Sequence, residues 1–246
     1  MKANCRILYI SYNGLLDEIL GSQVIPYLRE LAKKGYSFTL LTFERKDRWN
    51  ETGEKEIKRI RNELREAGID WHSLRYHKRI SLLAKFFDVF TGLIYAAFLF
   101  FRKGIKIVHA RSVIPAVVAL MPKLFGAKLI FDTRGLLAEE YVGGGHWKEE
   151  SLNYKVVKFF EKICIRLADS VVVLTRKHEE YLLNLDWFKR NKTNKRIDII
   201  PCCVDLDRFK YNIPKADMLR KKEGLGNSFI FTYLGKTGKH YMTKEM

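Results

Sequence analysis

The sequence predicts an α/β fold built on a doubly wound parallel sheet, and three observations predict it. First, Ile105 to Tyr141 holds two β-type runs, Lys106–His109 and Lys128–Asp132, around an apolar segment, Val113 to Phe125, closed by Gly126. Strand, helix, strand in that order is a βαβ unit, and such units make parallel sheets. Second, the first forty residues follow the same plan, with a strand, a loop, a helix and a strand. Third, the chain turns polar after each strand of the central unit, at His109-Ala110-Arg111-Ser112 and again at Asp132-Thr133-Arg134-Gly135. Ligands of open α/β sheets sit outside the carboxyl ends of the strands, so two charged clusters fall where such a fold keeps its site.

Taken in order, Cys5–Ser11 is a run of β-formers and reads as a buried first strand. Tyr12–Leu20 is a loop carrying Asn13-Gly14. Gly21–Lys34 is a helix, with Val24, Ile25, Leu28 and Leu31 at helical spacing, Ser22 as N-cap, Pro26 in its first turn and Gly35 just past its end. Tyr36–Phe43 is the second strand. Asp47–Ala67 is highly charged, with Ile57, Ile60 and Leu64 as one narrow apolar stripe, and reads as a surface helix ended by Gly68. Ile69–Tyr76 is a third strand.

Leu82–Phe101 is about as long as a membrane span. Lys85 and Asp88 interrupt it, and either costs about 2.5–3.5 kcal/mol at a bilayer centre, so a buried or interfacial helix is the better reading. After the central βαβ unit, Gly143-Gly144-Gly145 reads as a mobile loop, with His146 and Trp147 beyond it either as material for a lid or as part of a solvent-facing loop. Glu149–Leu167 is an amphipathic helix, Asp169–Leu174 a buried strand, Arg176–Leu185 a helix and Arg196–Ile200 a strand closed by Pro201. Val204–Gly226 is polar and connecting. Ser228–Leu234 reads as a fresh strand ending in Gly235.

The bulk numbers narrow the function classes. A chain of 246 residues, 47% apolar and 30% charged, is globular. Its formal net charge of +17 favours anionic partners. The basic residues are spread along the chain, so no nucleic-acid-binding arm stands out and no nucleic-acid partner is expected. Cys5 and Cys164 sit in apolar runs as small hydrophobes. Cys202 and Cys203 are adjacent, without the spacing of a zinc site, so no metal is expected. This cysteine usage fits a reducing, cytoplasmic compartment, and the start, MKANCRILYISYN, does not read as a signal peptide.

The candidate site residues follow from position. The first loop has neither G-x-G-x-x-G nor a P-loop, so Asn13 and Gly14 do not make a standard dinucleotide turn. Helix N-terminal amides at Gly21, Ser22 and Gln23 are suited to a phosphate or a sugar hydroxyl, an ordinary capped turn being the alternative. His109, Arg111 and Ser112 follow a strand, and a guanidinium there needs an anion or a carboxylate, either a ligand or Asp132 on the neighbouring strand. Asp132, Arg134 and Gly135, followed by Glu139 and Glu140, place carboxylates beside an arginine. That combination orients hydroxyls or serves as base and electrophile, or is an N-capping aspartate with surface glutamates.

Two later segments carry a resemblance: ADSVVVLT at 168–175 and IIPCCVDLDRF at 199–209, in order with HARS at 109–112 and FDTRG at 131–135. Together they resemble the retaining, nucleotide-sugar-dependent glycosyltransferases of GT-B type, group 1 and family 4-like. That resemblance implies two facing Rossmann-like domains, of which this chain holds the N-terminal, acceptor-binding one and is truncated before the second. Residues 1–203 are then the acceptor side, 204–227 the link, and 228–246 the first strand and turn of the donor side. It also implies a nucleoside diphosphate sugar as co-substrate, no cofactor and a saccharide or lipid-linked acceptor. The basic surface and the Leu82–Phe101 helix suggest a peripheral membrane contact, at the inner face of the membrane. FDTRG departs from the His-Asp that often ends this strand in the family, so no catalytic histidine is transferred. Asp132 and Arg134 become the catalytic candidates by position; Asn13, Gly14, His109, Arg111, Ser112, Gly135 and Glu139 the acceptor side; Gly21, Ser22, Gln23 and Gly235 the donor-facing residues. The competing expectation is a non-catalytic Rossmann-like module binding an anionic saccharide or a protein partner.

Overall fold

The computed structural model describes residues 5–77, 82–190, 195–204, 206, 210 and 212–234. Seven parallel strands form one sheet in the order β3-β2-β1-β4-β5-β6-β7: β1 (Arg6–Ser11), β2 (Ser37–Arg45), β3 (Ile69–Tyr76), β4 (Ile107–Arg111), β5 (Lys128–Asp132), β6 (Ser170–Val173) and β7 (Arg196–Ile199). The order reverses direction between β1 and β4. That switch point is where a doubly wound sheet leaves a crevice at its carboxyl edge.

Strand alternation builds two cores. Leu8 and Ile10 of β1 join Leu41, Phe43, Val108 and Phe131 beneath α5 (Leu82–Lys103), α6 (Val113–Leu124) and α8 (Leu152–Leu167). Tyr9, between them, faces the other way and joins Leu40, Trp71, Leu28 and Leu64 beneath α2 (Ile25–Lys33) and α4 (Glu54–Glu66). Because β1, β4 and β5 are in register, Ser11 lies beside Arg111 and Arg111 beside Asp132. Tyr9, Ser11, His109, Arg111 and Asp132 therefore share the face that carries α2.

The structure corrects several expected elements. The stretch read as a loop plus one helix is two helices, α1 (Glu18–Gln23) and α2, broken at Val24. Ser22 is thus no N-cap: its hydroxyl donates back to the carbonyls of Glu18 and Ile19. The expected long surface helix is split at Gly53, whose φ of 75° no other residue adopts cheaply, into α3 (Lys46–Thr52) and α4. The triple glycine ends a helix instead of forming a loop. α7 (Leu137–Gly143) closes as the amides of Gly144 and Gly145 return to the carbonyls of Glu140 and Val142. His146 and Trp147 donate their amides to the Tyr141 carbonyl and set their rings against the Tyr141 ring, so they cap α7.

Beyond β6, α9 (Arg176–Asn184) begins at Thr175, whose hydroxyl accepts from the His178 amide, and α10 (Asp186–Arg190) follows. The connecting stretch contains α11 (Ile213–Lys222), capped by Asn212. Residues 228–234 form no strand: they join no ladder of the sheet, and Phe229, Phe231 and Leu234 are exposed.

Candidate functional site

The polar groups at the switch point come from four segments. Arg111 ends β4, Asp132 ends β5, Arg134 lies in the turn that follows, and Gln23 closes α1. Arg111 and Arg134 each donate an Nη2 hydrogen bond to the one side-chain oxygen of Gln23, at 2.8 and 2.9 Å. Arg134 Nη2 also reaches Cys202 Sγ at 3.2 Å. Two guanidinium groups are thus held close together by a neutral carbonyl.

The one carboxylate among them is only loosely engaged. Asp132 Oδ2 lies 3.7 Å from His109 Nε2 and 3.7 Å from Arg134 Nη1, beyond hydrogen-bond distance. Asp132 Oδ1, His109 Nε2, Arg111 Nε and Ser11 Oγ are buried without a hydrogen-bond partner. The structural alternative for Arg111, pairing with Asp132 across adjacent strands, is not what forms: the two are register neighbours, but the guanidinium turns to Gln23. Buried polar groups left unmatched cost about 1–3 kcal/mol each, so each of these calls for a partner, whether an ordered water, an ion or a ligand.

Backbone and neighbours hold the cluster in shape. Ser112 and Arg134 both have positive φ, 78° and 60°, so the chain turns sharply just beyond each strand. The His109 ring packs against Tyr9, with centroids 4.6 Å apart, and the Tyr27 hydroxyl donates to that of Tyr9 at 2.6 Å. Burial, with the Asp132 charge nearby, pushes the Tyr9 phenol far above its ordinary range, so it stays a neutral hydroxyl.

The other expected residues have different duties. Asn13 and Gly14 lie in the turn after β1, but the amides that follow them are engaged. Glu44 Oε1 accepts from the Leu15 amide at 2.6 Å and from the Thr42 hydroxyl, and Oε2 accepts from the Leu16 amide at 3.3 Å. A side chain at Gly14 would run into that carboxylate. Gly21 and Ser22 lie inside α1, so their amides are not a helix N-terminus; the contribution of this segment comes through the Gln23 side chain. Gly135 packs directly under the Glu140 carboxylate, and Ser112 opens α6.

Glu139 belongs to a separate group. Its carboxylate meets Lys158 Nζ at 2.8 Å and the Tyr181 hydroxyl at 3.1 Å, and Lys158 also meets Glu161 at 2.7 Å. Burial works against the Glu139 charge, but Lys158 outweighs it and holds the carboxyl below its ordinary range. This group joins α7 to α8 and α9. Gly235 lies outside the described residues.

The sequence reading missed Tyr9, Ser11 and Tyr27. The signal was period two: with β1 beside β4, Tyr9 and Ser11 had to face the same way as His109 and Arg111. The aspartate of ADSVVVLT, Asp169, lies at the opposite edge of the sheet. It accepts from the Leu129 amide and pairs with Lys123 and Lys128, so it anchors the start of β5.

A seven-stranded parallel sheet with this order and a polar cluster at its switch point define a Rossmann-like α/β domain of the kind that forms half of a GT-B enzyme. The sequence model of Glycosyltransferase Family 4 matches residues 22–208, well over half of the chain, and the chain belongs to that family. No curated protein sequence matches it. Among solved structures it resembles a glycosyltransferase from Rickettsia africae, at 16% identity and TM-score 0.58, covering 91% of this chain and 50% of that one. It also resembles the sucrose-phosphate synthase of Thermosynechococcus elongatus, at 16% identity and TM-score 0.58, covering 88% and 53%. A UDP-glucosyltransferase from Polygonum tinctorium is similar at 12% identity and TM-score 0.53, covering 90% and 57%. Identities this low speak to fold. The chain spans about half the length of these structures.

Proposed function

We propose that the chain is the acceptor-side part of a retaining glycosyltransferase, residues 1–203 forming the acceptor domain, 204–227 the link and 228–246 the opening of the donor domain. In this reading a sugar passes from a nucleoside diphosphate sugar to a saccharide or lipid-linked acceptor, without a metal ion, in the cytoplasm and in the service of polysaccharide assembly. The observation that supports it best is the switch-point cluster. Asp132 keeps one oxygen unmatched and the other loosely held, so it has capacity to take a hydrogen bond from an acceptor hydroxyl. Arg111 and Arg134, gathered on Gln23, supply positive charge beside it for the oxygen or anionic group of a sugar.

Because the chain spans about half of the structures it resembles, and a GT-B donor is held mostly by the other domain, the isolated chain is expected to transfer little sugar. A panel of sugar-nucleotides and acceptors, followed for transfer and hydrolysis, tests this. The expected result is no robust turnover by the chain alone. Turnover after joining it to a donor-binding domain, abolished by D132N, completes the test. Robust turnover by the chain alone refutes the division of labour, and unchanged turnover in D132N refutes the role of Asp132.

A further inference from the structure

Helix α5 is 22 residues long, about 33 Å at 1.5 Å per residue. Its inner face packs on the sheet through Gly92, Ala96 and Leu99 and carries the buried Asp88. Asp88 accepts from the Tyr12 hydroxyl at 3.0 Å, the His77 amide at 3.1 Å and His77 Nδ1 at 2.5 Å. Among the described residues the outer face has no such cover. Phe86, Phe87, Phe90, Ile94, Phe98 and Phe101 are all exposed, Phe86 at 71% and Phe101 at 64%. At about 100° per residue these six fall within one arc of about 120°. The end of α6 extends the strip: Leu124 and Phe125 are exposed, and the Phe101 and Phe125 rings lie 4.9 Å apart.

Scattered exposed apolar residues are ordinary, but a continuous strip of this length marks an interaction surface. Its charge selects the partner. From Lys85 to Lys103 the one acidic residue is Asp88, which is turned inward and fully buried. Arg102, Lys106 and Lys128 are exposed near the Phe101 end, where the acids nearby are already paired, Asp169 with Lys128 and Asp70 with Lys103. A second copy of this chain would bring the same cations and the same net charge of +17 against them. An anionic lipid surface meets both features: apolar depth for the phenylalanines and negative charge for the basic end. No helix among the described residues is long and apolar enough to cross a membrane, so the fitting geometry is a helix lying in the plane of the interface.

We propose that the outer face of α5, continued by the end of α6, docks this domain onto an anionic bilayer without spanning it. The proposal deepens the reading of a lipid-linked acceptor and rests on it for its purpose. The binding itself is measured without any sugar, so the two fail separately.

The test is flotation of the chain with vesicles of phosphatidylcholine alone and of phosphatidylcholine mixed with phosphatidylglycerol, at low and high salt. The expected result is salt-sensitive binding to the mixed vesicles. F90S/F98S should lower the partition coefficient about tenfold, equivalent to ~1.4 kcal/mol. L152S, which removes an exposed leucine from α8, should leave it unchanged. A second pair, F87S/I94S, guards against a folding defect peculiar to the first, and circular dichroism reports on the fold of each. No binding to either vesicle, or equal binding by wild type and both pairs, overturns the proposal. So does a wild-type dimer in light scattering that both pairs dissociate, since a second copy would then be the occupant.

Discussion

Glu44 and Asp132 invite comparison. Both are carboxylates at the carboxyl edge of one sheet, near the ends of β2 and β5, and both are almost fully buried. Glu44 accepts hydrogen bonds from two backbone amides and a hydroxyl, and burial still pushes its carboxyl above the ordinary range. Among the described residues the Asp132 carboxylate accepts none, and its Oδ1 is buried and unmatched. The same residue class at the same edge therefore does opposite things. On the β2 side the protein supplies the partners and the turn after β1 is fixed. On the β5 side the described residues supply no such partners to the carboxylate, the feature on which the proposed role of Asp132 rests.

The largest effect that would break this contrast is at Glu44. E44A strands the Leu15 and Leu16 amides, and a loss of about 2–4 kcal/mol in urea unfolding is expected. G14A places a methyl group against the same carboxylate and should also destabilise. In the double variant that obstacle is gone, so the two costs should fall short of additivity by about 1 kcal/mol. Full additivity would mean that Glu44 does not fix the turn.

A smaller effect on stability, with a large one on function, is expected at Arg134. Its φ of 60° suits glycine better than arginine. R134G should therefore change stability by less than about 1 kcal/mol. Acceptor binding, for whichever acceptor the transfer panel identifies, should drop on the order of 100-fold with the loss of a charged contact. If binding and stability fall together, Arg134 belongs with Glu44 as a structural group.

The smallest effect is at Asp169, a third carboxylate on the opposite edge. Burial opposes its charge, but Lys123, the Leu129 amide and Lys128 outweigh it and hold the carboxyl down to about 2. The stability it gives is complete above the unfolded aspartate value of about 3.9 and is lost as pH falls through the folded value. After solvent screening this amounts to about 0.5–1 kcal/mol. Unfolding curves of D169N measured from neutral pH downward should run parallel to wild type above about pH 4 and converge with it below. Curves that stay parallel throughout would show that the anchor is not ionic.

The sequence disclosed the strands well because buried parallel strands are short runs of β-formers bounded by turns: all seven were legible, β2 and β4 differing in that they run on through Arg45 and Arg111, while the eighth expected strand, Ser228–Leu234, does not form. Helix breaks were harder. The split at Gly53 sits inside a continuous charged stripe, and the break at Val24 interrupts an unbroken apolar period. At Gly143–Gly145 the glycines were visible, but the return of their amides to α7 depends on backbone angles that composition does not fix. The site was half legible. Arg111, Asp132 and Arg134 were found by their place after strands. Gln23 was found for its amide and acts through its side chain. Glu44 was missed because nothing local marks an acid that serves a turn 28 to 29 positions away.

The inward carboxylate of Asp88 also bears on how the chain is made. Residues 82–103 are the longest predominantly apolar run of the sequence. Within that run Asp88 weighs against lateral release into lipid, the cost of an aspartate reaching about 2.5–3.5 kcal/mol at a bilayer centre. Once folded, the same group is tethered by Tyr12 and His77 to the segments that follow β1 and β3. One side chain thus argues against insertion while the polypeptide is nascent and holds the helix to its own sheet afterwards.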